Sequence, residues 1–301
     1  MTHAALVASI AAHAAQMRYD IIEMIAEAGS GHPGGSLSAA DIVATLYWGV
    51  MRHNPASPDW PERDRFVLSK GHAAPVLYAA LAGAGYFGRD HLKTLRKLGS
   101  MLQGHPDARK CTGIEVSTGS LGQGLAIANG MALALRMDGN PARVFCLLGD
   151  GELQEGEVWE AAMFAPHHGL DHVVAVVDHN GLQIDGACTD VMCLGEVAEK
   201  LHAFGWEVRE CDGHDVEALL EALSEPPMTE GVPVAIVAYT VKGKGVSFME
   251  GDAGWHGKSP NAEQTATALE ELGAVRGQAA GALEAAVGSL LTDESPSEGG
   301  S

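Results

Sequence analysis

Two residues thirty positions apart are spaced to share a ligand. Asp150 follows the apolar run "RVFCLLGD" (143–150) between Gly149 and Gly151, and Asn180 closes "HVVAVVDHN" (172–180). Runs that are apolar throughout, without alternation, mark strands covered on both faces. Thirty positions leave room for one helical crossover. Two neighbouring parallel strands would then deliver a carboxylate and an amide oxygen to one point, where α/β sheets gather their ligands. Oxygen donors of this kind suit Mg²⁺ or Ca²⁺, completed by phosphate oxygens and water. The flanking glycines let a phosphate approach the backbone closely. Each residue also has a plain local reading. Asp150 can cap a helix over 152–168, and Asn180 can turn the chain at Asn-Gly. The pair together favours the metal.

A second glycine-rich stretch, "STGSLGQGLAIANGMALAL" (117–135), runs into an Ala-rich helix. The free N–H groups of such a helix start attract anions, although close helix packing accounts for the glycines as well. Its G-x-x-G-x-G order is not the G-x-G-x-x-G of dinucleotide-binding turns. Four histidines stand beside glycine: His32 in "SGHPGGS", His72 in "SKGHAAP", His105 in "QGHPD" and His256 in "GWHGK". Loop histidines can move protons near neutral pH or donate to phosphate and sugar oxygens. One alone is usually a turn residue; four in the same setting form a pattern. The stretch "TVKGKGVSFMEGDAGWHG" (240–257) lacks P-loop spacing. It reads as a flexible loop with solvated Lys242 and Lys244, or as a lid that brings His256 over the site.

The elements that must position these groups follow from the pattern. "PVAIVAYT" (233–240) adds a third buried strand, and helical segments fall between the strands at 152–168, 195–204 and 214–224. Upstream, 4–28, 38–51, 73–85 and 121–137 are Ala-rich and helical. Strand, helix and strand at this spacing give an α/β fold, a parallel sheet with helices on both faces. A chain of 301 residues, 46% of them hydrophobic, can bury a full core. No repeat or linker divides residues 1–273, which read as one domain. Residues 274–291 form one further helix weakened by glycines. The acidic, Gly/Ser-rich tail 292–301 is expected to be disordered. With 19 Lys plus Arg against 39 Asp plus Glu, the net charge is −20. Such a chain should avoid nucleic acid and anionic membranes. No stretch is apolar enough to span a bilayer, and no secretory leader is evident. Five scattered cysteines without a CxxC pair fit reduced thiols in the cytoplasm.

In order and spacing, "SGHPGGSLSAADI", "LSKGHAAPVLYAAL", "GHPD", "STGSLGQGL", "GDGELQEGEVWEA", "DHNGLQIDG" and "KGKGVSF…GWHGKSPN" resemble the N-terminal, diphosphate-binding part of transketolase. The resemblance covers roughly residues 10–270 and implies the thiamine diphosphate-binding fold of the PP type. It implies that Asp150, Asn180 and the Leu182 carbonyl hold Mg²⁺, and that Gly151, His72 and His256 contact the diphosphate. Gly149 and Glu152 belong to the same cofactor-binding set, while Gly119, Ser120 and Leu121 lie by the aminopyrimidine. His32, His72, His105 and His256 line the substrate channel as catalytic residues. Glu155 matches a catalytic family glutamate near the subunit interface. Glu152 and Glu157 also read as solvated first-turn residues that favour the helix dipole. The implied reaction moves a two-carbon ketol unit from a ketose phosphate to an aldose, with the hard chemistry carried by the cofactor.

A complete transketolase is about twice this length. The family's pyrimidine-binding and C-terminal domains lie outside the sequence, together with the arginines that grip sugar phosphate. The resemblance therefore implies the cofactor-binding subunit of a split transketolase. It would act only with a separately encoded C-terminal subunit, in an α₂β₂ assembly. Three alternatives stand beside it. One is another thiamine diphosphate enzyme, such as a deoxyxylulose-phosphate-synthase-like one. Another is a transketolase specialised for secondary metabolism. The third is a non-enzymatic cofactor-binding regulatory protein, against which the four retained histidines count.

Overall fold

A computed structural model describes residues 1–293. Its strands are β1 (Arg65–Leu68), β2 (Val144–Gly149), β3 (Val173–His179), β4 (Leu182–Gln183), β5 (Gly186–Ala187), β6 (Glu207–Asp212) and β7 (Val234–Tyr239). Five of them form one parallel sheet in the order β1-β2-β3-β7-β6, and β4 and β5 make a small antiparallel hairpin. The three apolar runs of the sequence are the central strands β2, β3 and β7, buried almost throughout. Two strands lack that signature. β1 has only four residues, and β6, "EVRECD", lies at the sheet edge with half-exposed polar residues. A strand covered on one side has no need of continuous apolar sequence.

Helices cover both faces. On one lie α1 (His3–Ala28), α2 (Pro33–Ser38), α3 (Ala40–Thr45) and α4 (Ala74–Ala84), whose Ile21, Ile42 and Tyr78 pack with Phe145, Leu147 and Ile236 of the sheet. On the other lie α5 (Gln123–Met137) and α6 (Gly156–His167), whose Leu125 and Val158 pack with Cys146, Leu148 and Val177. Neighbouring residues of β2 thus serve opposite cores, as strand pleating requires. After the short α7 (Cys188–Met192), α8 (Val197–Ala203) joins the second face and α9 (Val216–Ser224) the first. Each fully buried aliphatic or aromatic side chain in these layers contributes about 1.5–3 kcal/mol.

Three helical expectations are adjusted. The segment 38–51 is divided among α2, α3 and a π-helical turn, Leu46–Val50. The segment 152–168 opens as a 3₁₀ turn, Gly151–Gln154, and becomes helical only after an extended Glu155. The boundary placed at 273/274 falls inside α10 (Ala262–Asp293). Asn261 and Gln264 cap its start reciprocally, and the helix lies along α1. That contact carries it through glycines that would weaken an isolated helix. Apart from its first two residues, the tail 292–301 lies outside the described residues. Among the described residues no helix is long and apolar enough to cross a membrane.

The register places the site. Gly149 pairs with Asp178, and Asp178 with Ala238, so β2, β3 and β7 finish almost level. The loops that leave them emerge together at the carboxyl edge of the sheet.

Candidate active site

A cavity of about 250 Å³ opens at that edge. From the β2 end come Gly149, Asp150, Gly151 and Glu152; from β3 and its hairpin come Asn180 and Leu182. Gly119 and Leu121 precede α5, His72 follows β1, and His32 and His256 arrive from the loops before α2 and after β7. The loops interlock closely. A Cβ on Gly71 would fall 2.7 Å from both the Gly119 nitrogen and Thr118 Oγ1, so only glycine fits there.

Asp150 is buried, and its oxygens accept hydrogen bonds from the amides of Gly151 (2.8 Å) and Gly181 (2.5 Å). It caps the 3₁₀ turn and also lines the cavity. Burial and the nearby Asp178 carboxylate push its pKa up, against the amides of Gly181 and Gly151 that hydrogen-bond it. Asn180 likewise makes its turn, with Oδ1 accepting from the Leu182 amide at 3.2 Å. Among the described residues no cluster of three or more His, Cys, Asp or Glu could hold a metal. The donors here are instead a carboxylate, an amide oxygen and the Leu182 carbonyl, a hard-oxygen set that fits Mg²⁺. Two buried side-chain atoms at the same loops, Gln183 Nε2 and Thr118 Oγ1, have no hydrogen-bond partner. Gln183 also lines the cavity, and an unpaired amide nitrogen there fits a ligand that brings its own oxygens.

Three histidines form a cluster. Ring centroids lie 5.3 Å apart for His32 and His72, 5.5 Å for His32 and His256, and 4.9 Å for His72 and His256. Burial, aided by Arg96, lowers His32 to about 4; burial, aided by Lys242, lowers His256 to about 3. Burial and Lys70 hold His72 well below the usual range. At neutral pH these rings are uncharged and can accept or donate. His105 is more exposed and stands behind Gly119, where a Cβ would come within 3.1 Å of its ring. Burial and Arg96 lower its pKa as well.

Three charged residues of the site carry no signal in the spacing patterns. Lys70 is buried, pairs with the fully buried Asp178 and donates to the Gly35 carbonyl at 2.9 Å. Asp178 also accepts from Ser38 Oγ at 2.6 Å and from Thr240 Oγ1. Burial alone would raise its pKa, but Lys70 and these hydrogen bonds win and hold it low. Lys242 is 3% exposed, which corrects its reading as a solvated loop lysine. Its Nζ donates to the Leu182 carbonyl at 2.9 Å and lies 3.0 Å from His256 Nδ1. Burial, then Lys70, lowers it to about 8. Lys244 does remain part-exposed, 3.6 Å from Glu250.

The acids after Asp150 separate. Glu152 is 3% exposed rather than solvated. Its carboxylate accepts from the amides of Gly149 and Gly122, each at 3.0 Å, and from Ser69 Oγ. It thereby clamps the ends of β1 and β2 to the start of α5. Glu157 is half-buried and accepts from Gln123. Glu155 and Ser120 are exposed and do not line the cavity.

Level parallel strands, glycine loops in contact and convergent oxygens make this the ligand cleft of an α/β enzyme. A family described as "Transketolase, thiamine diphosphate binding domain" matches residues 10–279, and the chain belongs to it. It is similar to the 6-deoxy-6-sulfo-D-fructose transketolase subunit of Clostridium sp. (strain MSTE9), at 46% identity over 251 residues, 83% of this chain and 91% of that one. It is 42% identical to an apulose-4-phosphate transketolase subunit of Phocaeicola vulgatus, over 85% of this chain and 90% of that one. Among solved structures, transketolase from Leishmania mexicana superposes with a TM-score of 0.81 at 33% identity, covering 94% of this chain and 45% of that chain.

Proposed function

We propose that this chain is the thiamine diphosphate-binding subunit of a two-chain transketolase. The observation that carries the proposal is the meeting of Asp150, Asn180 and Leu182 with three neutral histidines in one cavity. Likeness to two named transketolase subunits over about nine-tenths of their length supports it. In this reading Asp150, Asn180 and the Leu182 carbonyl hold Mg²⁺. Gly151, His72, His256 and Lys242 hold the diphosphate, and Gly119 and Leu121 border the aminopyrimidine. Thiamine diphosphate, when bound, supplies the carbon nucleophile that opens the ketose C2–C3 bond and carries two carbons to the acceptor. His32, His72, His105 and His256 bind sugar oxygens and pass protons at their ring nitrogens, a task that favours uncharged rings.

Glu155, exposed at the start of α6, is proposed to face a neighbouring subunit. The partner is a chain with the pyrimidine-binding and C-terminal domains, in an α₂β₂ assembly. Five unpaired cysteines support a cytoplasmic setting. The two relatives are named for a sulfonated and a phosphorylated ketose, which supports a ketose with an anionic end as substrate. Calorimetry on the assembled complex tests the site: Asp150→Ala should abolish Mg²⁺-dependent thiamine diphosphate binding. Unchanged affinity would sink the assignment. Turnover of pyruvate, but not of xylulose 5-phosphate with an aldose acceptor, would move the chain to another thiamine diphosphate enzyme.

A further inference from the structure

The turn between β6 and α9 carries "DGHD" (212–215), none of whose residues lines the cavity. It is pressed against the exit of β7. The Gly213 amide donates to the Tyr239 carbonyl at 2.8 Å, and a Cβ on Gly213 would fall 2.4 Å from Thr240 Cγ2, so only glycine fits. The next side chain, His214, bridges two elements. Its Nε2 lies 2.8 Å from the Val241 amide nitrogen, and its Nδ1 lies 2.7 Å from Asp41 Oδ2. A backbone amide can only donate, so Nε2 accepts and Nδ1 carries the proton toward Asp41.

Asp41 is held in turn. Its two oxygens accept from Arg18 at 3.0 and 2.5 Å, and Arg18 Nε donates to the Leu37 carbonyl at 3.3 Å. Burial would raise the pKa of Asp41, but Arg18 and His214 win and hold it low. It is therefore an ionised acceptor that fixes the His214 tautomer. The far side of this network meets the same loop, since a Cβ on Gly245 would sit 3.4 Å from Arg18 Cδ.

Val241 leads into the cavity. Thr240 before it is tied to Asp178, and after it the Gly243 amide donates to the Gly34 carbonyl at 3.0 Å. Lys242 stands between these anchors, with its Nζ against the Leu182 carbonyl and His256 Nδ1. Functional groups keep their geometry only where the groups behind them are fixed. An acceptor for the Val241 amide fixes the peptide that carries Lys242, and through Lys242 the ring of His256.

We propose that His214, kept in one tautomer by Asp41, is a positioning residue for the loop 240–257: it holds the Val241 amide so that Lys242 and His256 face the cavity. Its bearing on cofactor binding rests on the transketolase reading of that cavity, whereas its bearing on the loop does not.

Two amide side chains separate the roles of the two ring nitrogens. In His214→Asn the amide nitrogen takes the place of Nδ1 and can still donate to Asp41, but nothing reaches Val241. In His214→Gln the amide oxygen takes the place of Nε2 and can accept from Val241. Hydrogen exchange of the Val241 amide in the full chain should quicken about fivefold or more in His214→Asn and stay within about twofold of the parent in His214→Gln. In the complex with the partner subunit, calorimetric affinity for thiamine diphosphate with Mg²⁺ should follow the same order, about fivefold weaker in His214→Asn and recovered in His214→Gln. Equal behaviour of the two variants, or loss in His214→Gln alone, would reduce His214 to packing or to a partner for Asp41 and overturn the proposal. A lower thermal midpoint without faster exchange at Val241 would overturn it too. If exchange quickens in His214→Asn alone but the parent complex binds no thiamine diphosphate, the positioning of the loop stands and the transketolase reading has failed.

Discussion

His32, His72 and His256 crowd around one cavity, and acid forces charge onto all three. An unfolded histidine protonates near pH 6.5, whereas folded His32 does so near about 4 and His256 near about 3. Between those values the unfolded chain binds more protons at these two sites, so their contribution to stability falls as pH drops from about 6.5 toward 4. Urea unfolding at pH 7 and pH 5 should show the loss, and a His32→Gln, His256→Gln double variant should lose less over the same interval. An identical slope would place its source elsewhere. These histidines are legible in the sequence because each stands beside glycine, outside any α-helix. Asp150 and Asn180 are legible because they end two apolar runs. Lys70 and Asp178 are not, since one follows a four-residue strand and the other sits inside β3, where spacing cannot say which polar group finds a partner. Glu152 and Lys242 mislead for a related reason: composition does not tell which loop residue folds inward.

Helix α5 shows how one element combines packing with positioning. At its first turn a Cβ on Gly124 would lie 2.3 Å from Ser69 Oγ and 2.7 Å from Ser69 Cα. At mid-helix nothing lies within 4 Å of a Cβ on Gly130, which is exposed. Gly124→Ala should therefore cost about 1–3 kcal/mol by overpacking. Gly130→Ala should gain about 0.5–1 kcal/mol through helix propensity. Chemical denaturation of the two variants checks the pair, and equal effects would refute the packing account. Both glycines look alike in "GLAIANG", so only the tertiary contact separates them. The same limit explains the edge strand β6, whose polar residues carry no strand periodicity, and the unbroken α10, whose continuity depends on α1.

At the scale of the whole molecule, the parallel sheet with two helical layers follows directly from the buried strands and the Ala-rich segments between them. The assembly does not, because its information lies in surfaces that meet another chain. Co-expression with a chain carrying the pyrimidine-binding and C-terminal domains should yield, by native mass spectrometry, two copies of each. Thiamine diphosphate should bind that complex more tightly than it binds this chain alone. Equal affinity for the isolated monomer would favour a stand-alone cofactor-binding protein.

Lys242 already grips the Leu182 carbonyl that the proposed Mg²⁺ needs. Loading of that metal would then be an exchange of cations rather than the filling of a gap. If the metal were to replace that contact, the diphosphate would offer the ammonium a new partner. On the proposed reading, metal and cofactor would be mutually dependent guests, each freeing or anchoring what the other requires.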